Sequence, residues 1–82
     1  MAGFEHSKAR KVETAMDRWN SEWDRPGQRD TGFWLLGVAL KNAGCDAGEI
    51  ADRLDHAARF SMSKEKGKLR GSVKRIIKKL GV

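Results

Sequence analysis

Phe33-Trp34-Leu35-Leu36-Gly37-Val38-Ala39-Leu40 is an eight-residue stretch with no polar side chain, set in a chain of 82 residues. Nothing in it alternates between apolar and polar, so it does not read as a strand with one wet face. As a helix it is apolar on nearly all sides, which places it in the middle of a bundle with other helices laid over it. At about a dozen residues that helix is far short of the ~20 needed to span a bilayer. Asp30 or Thr31 is expected to N-cap it. Lys41-Asn42-Ala43-Gly44 closes it, with Gly44 as the left-handed residue past its end.

Helical spacing continues on both sides. Upstream, Val12, Met16, Trp19 and Trp23 recur at intervals of four, three and four, with Ala9 and Ala15 alongside. They form a single stripe, so this helix covers the core on one side. Asp24-Arg25-Pro26-Gly27 ends it as a turn. Downstream, Asp46-Ala47-Gly48-Glu49 pairs an N-cap acid with a Glu three residues on, the pattern of a capping box, and Cys45 is placed to staple onto Ile50. Ile50, Leu54, Ala57 and Ala58 form the stripe of that helix. Arg59-Phe60-Ser61-Met62 leaves it, with Phe60 and Met62 expected as apolar anchors. In the last helix Leu69, Val73, Ile76, Ile77 and Leu80 share one face. Gly67 and Gly71 each weaken that helix by about 1 kcal/mol against Ala. The expected fold is all-α: a compact bundle of about four helices, near 7–23, 31–43, 46–58 and 64–80, around the central apolar second helix. It forms a single domain over residues 1–82, with 1–6 flexible.

Charge is distributed unevenly. Residues 1–60 hold nine Lys and Arg against ten Asp and Glu, whereas residues 61–82 hold eight against Glu65 alone. The whole net charge of +6 therefore originates in the last quarter of the chain. On the last helix Arg70, Lys74 and Lys78 line one flank of the apolar face, and Lys68, Arg75 and Lys79 line the other. A helix docked by its apolar side with a cationic outer side suits a polyanion, because bound Lys and Arg release condensed counterions from phosphates. Gly71 and Ser72 lie on the polar side, where a phosphate can approach the backbone closely. The alternative is a solvated face that only keeps the chain soluble.

Other chemistry is poorly supplied. Cys45, His6 and His56 are scattered without metal-ligand spacing. His56 follows Asp52 by one turn, and Cys45 precedes a helix start that could lower a thiol pKa, but a surface pair and a small buried residue explain both. There is no glycine-rich phosphate loop. No catalytic group, cofactor or metal is expected. Trp19, Trp23 and Trp34 could offer stacking platforms for bases, but Trp19 and Trp23 share a core stripe, so packing outweighs stacking; if one of the three is exposed, it is expected to be Trp23 at the helix end beside Arg25. A basic amphipathic helix can also lie on anionic lipid, but this apolar face has no aromatic residue, and docking in the bundle accounts for it.

Two resemblances follow from the order of elements. Glu49-Ile50-Ala51-Asp52-Arg53-Leu54 resembles the first helix of a helix-turn-helix unit, and Gly71-Ser72-Val73-Lys74-Arg75-Ile76-Ile77-Lys78-Lys79-Leu80 its recognition helix. Between Leu54 and Val73, however, the chain is longer than that geometry takes by about ten to sixteen residues. The second covers more of the sequence. A polar start, Arg29-Asp30-Thr31-Gly32, leads into an apolar helix ending Leu40-Lys41-Asn42-Ala43-Gly44. The acid-capped Asp46-Ala47-Gly48-Glu49-Ile50 and the closing Val73-Lys74-Arg75-Ile76-Ile77 come next. With this order, the chain from about Arg29 to Leu80 resembles the small C-terminal helical domain of plasmid and phage primases, the PriCT type. It departs from that family in having Phe60-Ser61-Met62-Ser63 where a Pro-Leu-Ser-type turn is usual, and a longer basic segment after it. The resemblance implies a place beside a primer-synthesising or replication-initiating enzyme, and it supplies no catalytic residues.

The function expected is a small basic accessory protein that binds DNA or RNA by phosphate contacts from Lys68, Arg70, Lys74, Arg75, Lys78 and Lys79. It is expected to be cytoplasmic, away from membranes, and a monomer or dimer. The competing readings are a protein-interaction module docking an acidic partner and a variant helix-turn-helix regulator.

Overall fold

A computed structural model describes residues 2–82, with side chains from Lys8 onward. The expectation of a flexible 1–6 segment falls outside those described side chains. The architecture is an all-α bundle: α1 (Ala2–Arg18) continues into a π-helical turn (Trp19–Trp23), followed by α2 (Arg29–Asn42), α3 (Ala47–Arg59) and α4 (Lys66–Leu80). No strand occurs among the described residues, and no helix there is long and apolar enough to cross a membrane.

The expected central helix is central. α2 packs against α1, the π turn, α3 and α4. Phe33, Leu36 and Leu40 on it are fully buried, and Ile50 and Leu54 of α3 meet them in one core with Leu69, Ile76 and Leu80 of α4. Coverage is incomplete, contrary to the expectation of a helix enclosed on all sides. Leu35 faces solvent, and Trp34 and Val38 are half-buried. Three surrounding helices leave one sector of α2 open.

Two glycines on α2 permit its close neighbours. A Cβ on Gly37 would stand 2.8 Å from Cγ2 of Ile76, so α4 can lie against α2 only because that atom is missing. A Cβ on Gly32 would run into the Cβ and Cγ of Trp23, with the Trp23 Cα at 3.2 Å behind them. The π turn brings Trp23 there. Its widened ladder is closed by the Asp24 N–H donating to the Trp19 carbonyl at 2.7 Å, an i to i−5 bond. Trp19 is buried edge-on against Phe33, ring centroids 5.3 Å apart, and Arg18 lies over the Trp23 ring. The first helix thus runs on through the π turn to residue 23, as its stripe implied, but begins earlier than residue 7 and changes its hydrogen bonding in the last turn.

The helix ends follow local chemistry with one exception. Asp46 and Glu49 form the full capping box, each side chain accepting from the other residue's backbone N–H at 2.8 and 3.1 Å. Gly44, at φ +97°, ends α2 in a Schellman arrangement, with the Cys45 N–H on the Leu40 carbonyl and the Gly44 N–H on the Lys41 carbonyl. The start of α2 is the exception. Neither Asp30 nor Thr31 caps it. The turn at Arg25–Gln28 already has helical dihedrals at Gln28, so the helix grows directly from the turn and leaves Asp30 inside its first turn, where its charge still suits the dipole.

The link between α3 and α4 differs most from expectation. Phe60 and Met62 are not anchors: they are 66% and 82% exposed. The buried residue is Ser61 between them. It is drawn inward by Asp24, a buried carboxylate that needs donors, and its two neighbours are thereby turned outward.

Candidate functional site

All six expected cations, Lys68, Arg70, Lys74, Arg75, Lys78 and Lys79, are solvent-exposed on an ordered helix. Leu69, Ile76 and Leu80 fix the rotation of α4 by burying its apolar face. Lys41 of α2 ties down its end by donating to the Leu80 carbonyl at 2.7 Å. The cations therefore point away from the bundle. Arg70 and Lys74 border a shallow cleft against Asp52 and Asp55 of α3, while Arg75 and Lys79 border another against Asp30 and Trp34 of α2. Gly67 and Gly71 line the first of these clefts, and a Cβ on either would touch nothing within 4 Å. Packing inside this chain therefore does not require glycine at either position.

The six are not equivalent. Lys68 pairs with Glu65 at 3.2 Å and Arg70 with Asp55 at 3.1 Å. Both pairs are exposed, and such pairs contribute about 0–1 kcal/mol, so a phosphate can compete for either cation. Lys74, Arg75, Lys78 and Lys79 have no carboxylate partner among the described residues. These four form the unneutralised part of the patch.

Some carboxylates also lack such partners. α1 and α3 diverge and leave an open groove of about 860 Å³ floored by Val12, Met16 and Ala57. Glu13, Asp17 and Asp52 stand along it, and none of them forms an ion pair among the described residues. Where the two helices are tied, Lys8 meets Glu49 at 2.9 Å. The hydrogen bond to Glu49 raises the Lys8 pKa. The same bond, joined by the one from the Asp46 N–H, lowers that of Glu49.

A second polar cluster joins three parts of the chain. Asp24 accepts from Ser61 Oγ at 2.6 Å, from the Met62 N–H at 2.8 Å and from Arg29 Nε at 2.7 Å. Burial alone would raise the Asp24 pKa, but the bonds from Ser61, Arg29 and Met62 outweigh it and hold the carboxyl below its usual value. Ser61 Oγ in turn accepts from the Ser63 N–H at 3.0 Å. Sequence reading assigned Asp24 only to a turn and did not anticipate this cluster. The one available signal was an acid beside the turn's proline-glycine pair, which many exposed turns share.

Cys45 and His56 have packing roles. Cys45 is buried, and burial, followed by the nearby Glu49 charge, pushes its thiol pKa up, opposite to the lowering that its place before a helix start allowed. His56 packs its ring on Phe60, centroids 4.7 Å apart. Among the described residues no three His, Cys, Asp or Glu side chains gather as metal ligands would. The α3–α4 link runs over residues 60–65, between Arg59 and Lys66, longer than the three or four residues of a helix-turn-helix connection.

The fold and site define a small four-helix bundle with one cationic edge. No protein family, curated protein or solved structure matches the chain.

Proposed function

We propose that the protein is a nucleic-acid-binding accessory module that grips phosphates with the outer face of α4. The observation that carries this reading is the set Lys74, Arg75, Lys78 and Lys79: four exposed cations on one ordered helix, without carboxylate partners among the described residues. Evenly spaced phosphates can engage such a row, and each neutralised phosphate returns counterions to solution. The contacts are to the backbone of the nucleic acid, so they position the protein more than they read sequence. A place beside a replication enzyme of a plasmid or phage is the narrower form of the proposal, and it rests on the helix–Gly–helix pattern of residues 29–80 alone.

The test is binding of labelled oligonucleotides across a salt series. The logarithm of affinity is expected to fall with the logarithm of salt, with a slope of about 0.9 per duplex phosphate engaged. Replacing Lys74, Arg75, Lys78 and Lys79 together by Gln is expected to abolish binding and leave the helical circular-dichroism spectrum unchanged. Undiminished binding by that variant refutes the assignment. A wild-type protein that binds no nucleic acid but captures an acidic protein supports the competing interaction-module reading.

A further inference from the structure

Phe60 and Met62 are the two most exposed large apolar side chains among the described residues, and they flank the buried Ser61. Their exposure is built in. The Asp24 cluster holds the loop by hydrogen bonds from Ser61 Oγ and the Met62 N–H, and Arg29 completes that carboxylate's shell. The His56 ring stands tilted beside the Phe60 ring, centroids 4.7 Å apart, and Phe60 borders the end of the α1–α3 groove while remaining 66% exposed. The tryptophans offer no comparable surface: Trp19 is 1% exposed, and Trp23 and Trp34 pack against the core.

Exposed cations follow directly. Lys64, Lys66 and Lys68 lie four, six and eight residues beyond Phe60, leading into the cationic face of α4. Four residues of chain reach at most about 14 Å, so Lys64 is within a few nucleotides' span of the ring. Two side chains alone are too small a patch for a protein partner, which takes about 800 Å² from each side. They suit a nucleobase. A base face is accessible only where the base is unpaired, since a duplex covers it with neighbouring pairs.

We propose that the Phe60–Met62 loop is a base-stacking site for single-stranded nucleic acid. The Phe60 ring takes the face of an unpaired base with Met62 beside it, and Lys64, Lys66 and Lys68 take phosphates of the same strand. This rests on the reading of α4 as a phosphate-binding face and narrows its ligand from nucleic acid in general to an unpaired strand.

The experiment compares a labelled oligothymidylate with a duplex of equal length by fluorescence anisotropy, for wild type, Phe60→Ala and Phe60→Trp. The wild type is expected to prefer the single strand. Phe60→Ala is expected to lose roughly tenfold or more on the single strand and little on the duplex, with its salt slope unchanged, because stacking carries no counterion release. Phe60→Trp is expected to restore single-strand affinity. Phe60 is exposed, so both variants keep the fold, checked by circular dichroism. Salt-dependent binding that Phe60→Ala leaves intact overturns the stacking site and spares the α4 reading. Absence of binding by the wild type overturns both. If Phe60→Ala instead abolishes a self-association seen by sedimentation, the patch is a protein contact and the proposal fails.

Discussion

Ser61 Oγ donates a 2.6 Å hydrogen bond to Asp24 Oδ1 across 37 residues of chain. The bond joins the turn after the first helix to the link between the last two. The same carboxylate also binds Arg29 at the start of α2. One buried acid therefore fixes the relative placement of three segments, and with it the outward pose of Phe60 and Met62.

Removing that acid should be costly. Asp24→Ala strips partners from Ser61, the Met62 N–H and a largely buried Arg29 at once. A loss of about 2–4 kcal/mol is expected, since breaking a buried pair strands the charge left behind. Ser61→Ala should cost about 1 kcal/mol. Urea denaturation measures both, and equal costs for the two variants would contradict the central role given to the carboxylate.

The same group makes stability acid-sensitive. The folded-state pKa of Asp24 lies below its unfolded value. Its contribution is therefore fully present above the unfolded carboxylate pKa of about 3.9 and is lost as pH falls through the lower folded value. Unfolding free energy followed from pH 6 downward should decline in that window. Asp24→Asn should start lower and decline less.

Glycine substitutions should separate by position. Gly32→Ala collides with the Cβ and backbone of Trp23, which cannot swing aside, and should destabilise by about 1–3 kcal/mol. Gly71→Ala meets nothing and should stabilise α4 by about 0.5–1 kcal/mol. If a phosphate approaches the backbone at Gly71, that more stable variant binds nucleic acid more weakly. Thermal melts paired with a binding assay read both effects.

Asp55 is a restraint on the patch. It pairs with Arg70 at 3.1 Å and with Arg59 at 3.3 Å. Asp55→Asn releases two exposed cations and removes a repelling charge, so nucleic-acid affinity should rise by a few fold, most clearly at low salt where the Debye length is long. An unchanged affinity would place the bound strand away from the α3 side of α4.

What the sequence made legible depended on whether the signal was local. Asp46 and Glu49 cap α3 through atoms three residues apart, and Gly44 ends α2 through its own backbone, so both could be read from neighbouring letters. The stripe Leu69–Leu80 fixed which side of α4 faces out, and with it the exposure of all six cations. The misreadings involve partners distant in the chain. Phe60 and Met62 looked like anchors because they are apolar, and only Asp24, far upstream, decides that Ser61 goes inside instead. The pairing of Arg70 with Asp55 likewise depends on how α3 lies against α4. The missing cap at Asp30 has a milder cause, since the preceding turn already had helical geometry.

In the groove between α1 and α3 Glu13, Asp17 and Asp52 are partly offset by Lys8 and Arg53, while Lys74, Arg75, Lys78 and Lys79 on the exposed face of α4 have no carboxylate partner among the described residues. With the surplus of positive charge at the α4 edge, the molecule carries an electric moment. In the field of a polyanion such a moment feels a torque, and over the last Debye length of about 8–10 Å the protein is turned α4 foremost before any contact forms. On the proposed reading of α4 as a phosphate-binding face, orientation on arrival is selected during diffusion, and adding salt should randomise that approach as well as weaken the grip.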